Sequence, residues 1–124
     1  MWGMGKRAAL VAAGIAMVMQ AGAASAMCWT PAEVDAAKVR ELETMLMVNA
    51  LRCRHSGHDF LGSYNQFIRD GRVALTHVND TLRAHFVTVG TGLNGYDRYA
   101  TALANRHGAG GTGLDCKDFK SILS

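Results

Sequence analysis

Residues 30–53 read TPAEVDAAKVRELETMLMVNALRC, and this stretch decides the fold. Thr30 is a cap-forming residue, Pro31 suits the first helical position, and Glu33 completes a capping box. Helix formers then run without a break to about Arg52. Leu42, Met45, Leu46, Asn49 and Cys53 recur at spacings of three and four, which places them on one helical face. Met45 to Val48 is apolar on every side, so this part of the helix is expected to be covered from more than one direction. Glu33, Arg40, Glu41 and Glu43 read as a solvated face. A helix of this length spans about 33 Å.

The same period continues downstream. Asp59 is a second cap candidate. Phe60, Tyr64, Phe67, Gly71, Leu75, Val78, Leu82 and Phe86 form an apolar stripe about 40 Å long if unbroken. A bend at Asp70-Gly71 is expected, because glycine weakens a helix interior, and the stripe itself reads as core. Val87-Thr88-Val89 has β-branched character, and residues 90–95 read as a loop. A further helix is expected from Tyr96 to about His107, with Tyr96, Tyr99, Ala100 and Leu103 on one face and Gly108 as its stop. Thr112 and Asp115 form a weak capping pattern before a short final helix with Cys116, Phe119, Ile122 and Leu123 on its apolar side. The expected fold is all-α, a small bundle of three to five helices.

Upstream, residues 1–26 have the layout of a secretory signal peptide. Lys6 and Arg7 make a positive start, residues 8–19 are apolar, and Ala24-Ser25-Ala26 is an A-x-A cleavage signal. The competing reading is a retained membrane anchor, which needs about 20 apolar residues; Gln20 and the small residues after it weaken it. Met27 and Ser25 do not suit a lipoprotein site at Cys28. The division is therefore 1–26 signal peptide and 27–124 single helical domain, exported to the periplasm or outside the cell, with no membrane attachment after cleavage. The formal charge of +3 on 124 residues falls to +1 once Lys6 and Arg7 leave with the signal. A near-neutral chain without a basic run lacks the electrostatic drive for nucleic acid.

Cys28, Cys53 and Cys116 allow three single bridges, and export makes one chemically possible. Cys28 and Cys53 flank the first helix and lie much too far apart, since a bridge needs Cα atoms within about 7 Å. Tracing the helices as antiparallel neighbours brings Cys116 to the half of the bundle that holds Cys53. The expected disulfide is Cys53–Cys116, with Cys28–Cys116 as the alternative. Cys28 would then be a spare thiol or an intermolecular bridge.

Three patterns could carry chemistry. Cys53, His55, His58 and Asp59 form C-x-H-x-x-H-D, whose donors suit zinc or copper. The bland reading is a polar loop, and a disulfide at Cys53 would remove the best ligand. A nucleophile at Cys53 with His55 or His58 as base would likewise need a free thiol. Gly90-Thr91-Gly92-Leu93-Asn94-Gly95 fits G-x-G-x-x-G, with Asp115 20 residues beyond its last glycine. That fingerprint works inside a strand–helix–strand unit, and no second strand follows, so a helix-linking loop is expected. His85 beside an apolar face reads as a hydrogen-bonded structural histidine. Asn79-Asp80-Thr81 is a glycosylation sequon. No cofactor motif is evident.

At residues 46–53 (LMVNALRC), 64–67 (YNQF) and 99–105 (YATALAN), the chain looks like small exported bacterial helical proteins of no assigned function. The resemblance implies fold and export, and it carries over no catalytic residue. The function expected is a non-enzymatic binding or interaction module with a possible protein partner in the cell envelope, Trp29 and Cys28 being its exposed sticky features. The alternative is a metal-binding protein using His55, His58 and Asp59 in the 53–59 loop.

Overall fold

The computed structural model describes residues 29–109 and 113–124. The signal-peptide and cleavage expectations, and the fate of Cys28, lie outside the described residues. Among the described residues, five α-helices follow in order: α1 Pro31–Arg52, α2 Leu61–Asp70, α3 Arg72–Thr88, α4 Gly92–Gly108 and α5 Cys116–Leu123, with a 3-10 turn Cys53–His55 after α1. The fold is all-α.

Helix α1 starts at Pro31 and ends at Arg52, as its sequence dictates. Its buried face is not one stripe. Toward the C-terminal end, Leu46, Ala50 and Cys53 are buried and join Phe60, Tyr64 and Phe119 in the apolar core. Toward the N-terminal end, the inward positions are Glu33, Ala36, Arg40 and Glu43, again spaced by three and four. Leu42, which the apolar period places in the stripe, is 45% exposed. The face turns about the axis because α2 and α5 cover one half of the helix, while α3 covers the other.

Helices α2 and α3 are the expected long helix, interrupted at Gly71. The Gly71 N–H still donates to the Phe67 carbonyl at 3.0 Å, and the Leu75 N–H donates to the Gly71 carbonyl at 2.8 Å. A Cβ on Gly71 would lie 3.2 Å from the Phe67 carbonyl oxygen, so glycine suits the closeness of this bend. The stripe keeps its role, with Phe60, Tyr64 and Leu82 buried. Val87 and Thr88 belong to α3 and form no strand, because helical hydrogen bonding runs on past them: the Val89 N–H donates to the His85 carbonyl at 3.0 Å.

Helix α4 begins at Gly92, four residues before the expected Tyr96, and extends through Gly108. It packs back on α3 as an antiparallel hairpin. The Phe86 ring meets Tyr96 edge-on at 6.3 Å and Tyr99 at 5.4 Å between centroids. The last helix is capped by Asp115, whose carboxylate accepts from the Asp118 N–H at 2.9 Å, while the Asp118 carboxylate accepts from the Asp115 N–H at 3.0 Å. This reciprocal box pairs Asp115 with Asp118; Thr112 of the expected capping pattern lies outside the described residues. Phe119 is fully buried and stacks on Phe60 with centroids 5.7 Å apart. Ile122, expected on the apolar side, is 58% exposed, because α5 is short and rests on Phe119 and Leu123.

Cys53 and Cys116 are joined by a disulfide with Cα atoms 5.6 Å apart. The antiparallel tracing explains the pairing: α1 carries Cys53 to one end of the bundle, and the chain returns there after α4.

Candidate functional site

The 53–59 loop is held by its own turn chemistry. The Ser56 hydroxyl donates to the Cys53 carbonyl at 2.7 Å and accepts from the His58 N–H at 3.1 Å. The cap position of α2 falls on Phe60, one residue after the expected Asp59, and has no side-chain cap bond; the Asp59 carboxylate instead accepts from the Leu61 N–H at 2.9 Å, satisfying one donor at the start of the helix. His55, His58 and Asp59 are exposed. The Cys53 sulfur is committed to Cys116, so it serves neither as a thiolate ligand nor as a nucleophile. Among the described residues, no group of three or more His, Cys, Asp or Glu side chains is placed to hold a metal ion.

The G-x-G-x-x-G stretch serves the α3–α4 turn. Gly90 and Gly92 have φ of +89° and +58°, the left-handed region in which a side chain is strained. Gly95 is buried inside α4, and a Cβ there would collide with the Thr91 side chain and lie 3.1 Å from the Phe86 ring. The third glycine thus allows the close approach of α4 to Phe86 of α3.

The polar residues assigned to a solvated face are the informative correction. Glu33 reaches α3, where its carboxylate lies 2.8 Å from Nδ1 of His85. His85 is 4% exposed, the bonded structural histidine expected from its position. The Arg40 guanidinium donates to Oδ1 of Asn79 at 2.9 Å, and the Tyr96 hydroxyl points to the same oxygen at 3.4 Å. The Tyr64 hydroxyl donates to Glu43 at 2.8 Å. Only Glu41 stays on the outside, accepting from Arg106 of α4 at 2.6 Å. The residue pairs 33 with 85 and 40 with 79 set the antiparallel register of α1 on α3. Asn79 of the sequon is therefore a helical residue whose side chain is engaged by Arg40.

Between α1, α2 and α3 these contacts frame a cleft of about 220 Å³. Ile68, Leu75 and Val78 form its apolar wall, and Arg40, Glu43, Asn79 and Arg72 bring polar groups to it. Arg40 Nε is buried and stands 3.8 Å from Glu43, close enough for charge attraction but beyond hydrogen-bond reach. Tyr64 ionises well above the ordinary tyrosine value, first because it is buried and then because it donates to the Glu43 carboxylate. Arg72, at the start of α3, is exposed and makes no ion pair among the described residues. The groups at this cleft can hold and orient a molecule.

Sequence periodicity could not find the cleft, because Arg40, Glu43 and Arg72 fit a solvated surface equally well. One signal was available: Glu33, Ala36, Arg40, Glu43 and Met47 recur at spacings of three and four, like any packed face. No protein-family model matches the chain, and no curated protein and no solved structure is significantly similar to it.

Proposed function

We propose that the chain is an exported, non-enzymatic binding module of the periplasm or cell envelope, and that the cleft between α1, α2 and α3 faces its ligand. One observation carries this reading. Arg40 and Glu43 are held half-buried beside an apolar wall, with side-chain exposures of 21% and 12%, where a solvated position would cost nothing in desolvation. Fixed polar groups at the edge of an apolar hollow are what a small-molecule site needs. The lining guanidinium, carboxylate and amide bind and orient. Export agrees with the disulfide, which persists in oxidising compartments. The metal reading of the 53–59 loop is weaker, because its thiolate donor is consumed by Cys116. Trp29, expected to be exposed, is half-buried, and Cys28 lies outside the described residues; the cleft is the interaction feature proposed.

Two measurements test the proposal. The chain expressed with residues 1–26 should be recovered from the periplasmic fraction with Met27 at its N-terminus; intact protein retained in the cytoplasm refutes export. Ligand-observed NMR of the purified chain against a mixed metabolite library, with protein capture from an envelope fraction in parallel, should give a saturable binder. Silence in both refutes a binding role.

A further inference from the structure

The chemistry of the cleft can be taken one step further, resting on the binding reading above. Three charged side chains line it: Arg40, Glu43 and Arg72. Two of them are already matched. Glu43 accepts from Tyr64 through one oxygen and faces Arg40 with the other, and Arg40 donates to Asn79. That leaves Arg72 as the unmatched charge at the rim, so the cleft carries one net positive charge. Below the rim stands the aliphatic wall of Ile68, Leu75 and Val78. The volume of the cleft is about 220 Å³. It is below the 300–1,000 Å³ typical of drug-sized sites, so the occupant is small.

We infer that the cleft binds a small monocarboxylate with an aliphatic body, its carboxylate on Arg72 at the rim and its chain against Ile68, Leu75 and Val78. The fork of an arginine matches a carboxylate with two parallel hydrogen bonds. Arg40, fixed by Asn79 and offset by Glu43, adds no net charge, so Arg72 is the carboxylate's partner. An amine would meet the unmatched Arg72 with the wrong sign. A doubly charged anion would leave one charge unmatched beside the aliphatic wall, at a desolvation cost.

Arg72 is well suited to a test. It is exposed at the first position of α3, where a cation opposes the helix dipole, so its removal does not threaten the fold. The purified full chain, labelled with nitrogen-15, is titrated with sodium hexanoate, acetate, hexanamide and hexylamine. Hexanoate should give saturable shifts centred on residues 68–79, with a Kd at or below about 1 mM. Acetate, hexanamide and hexylamine should each bind at least about tenfold more weakly. Arg72→Ala should weaken hexanoate about tenfold or more with the rest of the spectrum unchanged, and Arg72→Lys should recover part of the loss because it keeps the charge without the fork.

Equal binding of hexanamide or hexylamine overturns the carboxylate assignment while leaving the cleft a binding site. Equal binding of acetate removes the aliphatic part. An Arg72→Ala variant that binds hexanoate as the parent does overturns the role of the rim. Flat spectra with all four probes overturn the cleft as a carboxylate site, and the broader binding role is then decided by the library and capture experiments alone.

Discussion

Replacing Cys53 and Cys116 together by Ala opens the covalent link between residues 63 apart in sequence. On the chain-entropy relation, a closed loop of that size reduces the entropy of the unfolded chain by about 14 cal/mol/K, or about 4 kcal/mol at 25 °C. Cys53 is fully buried, so loss of its sulfur adds a cavity cost on the order of 1 kcal/mol. For a chain of this size the combined loss lowers Tm by about 20–30 °C. The comparison is made in a Cys28→Ser background on both sides, which keeps a third thiol from exchanging with the pair. Urea unfolding followed by circular dichroism gives the free energy, and the slope m should rise as the unfolded chain expands. Contacts between Phe60 and Phe119 should survive in the variant at low temperature, because their stacking and the burial of Phe119 dock α5 without the bond. A loss below about 2 kcal/mol, or an unchanged m, would refute the argument that the bridge acts on the unfolded state.

Three other perturbations follow from the packing. Gly95→Ala should destabilise by about 1–3 kcal/mol, as overpacking does, because the new methyl meets Thr91 and Phe86; thermal melting that leaves Tm unchanged contradicts the close approach of α3 and α4. Tyr64→Phe removes a hydrogen bond to a half-buried carboxylate and should cost about 1.5–3 kcal/mol, read from urea midpoints. In the parent, Tyr64 has its folded ionisation raised above the unfolded value near 10; its contribution is full below that pH and is lost progressively above it, so stability should fall more steeply above about pH 10 in the parent than in Tyr64→Phe. Asp115 is held below the ordinary carboxylate value, chiefly by the Asp118 backbone N–H. Its contribution is therefore present at neutral pH and lost as pH falls through the acidic range, and Asp115→Asn should flatten the acid limb of a Tm–pH profile; an acid limb identical to the parent's would show that the cap does not titrate.

The helices and the disulfide were legible in sequence for physical reasons. Thr30-Pro31 and Arg52 bound α1 because proline fits the first turn and no breaker intervenes. The stripe from Phe60 to Phe86 showed both α2 and α3 and the interruption at Gly71, since a three-and-four apolar period has few other solutions. The Cys53–Cys116 pair came from helix lengths, direction reversals and the apolar faces on which both cysteines lie. What escaped was the inward turn of Glu33, Arg40 and Glu43. Hydrophobic periodicity ranks side chains by transfer free energy, and by that measure a glutamate belongs in water. The partners that reverse the ranking, His85, Asn79 and Tyr64, lie 52, 39 and 21 residues further along the chain, and pairing at such distances has no local signature. The start of α4 was missed for a related reason: Gly92 and Gly95 are poor helix formers, and only the neighbouring α3 makes a helix with Gly95 on its inner face favourable.

The disulfide closes a ring that contains α2, α3 and α4 and leaves α1 outside, as a tail attached at Cys53. The ring limits how far its own helices can part, but it places no limit on the N-terminal end of α1, which is held by Glu33 on His85 and Arg40 on Asn79. Amide exchange should therefore be least protected in the first turns of α1 and most protected around Leu46, Ala50 and Phe119. Because α1 is also one wall of the cleft, an occupant touching both α1 and α3 would tie the tail to the ring, and its first sign would be slower exchange in a helix that the covalent topology leaves free to lift.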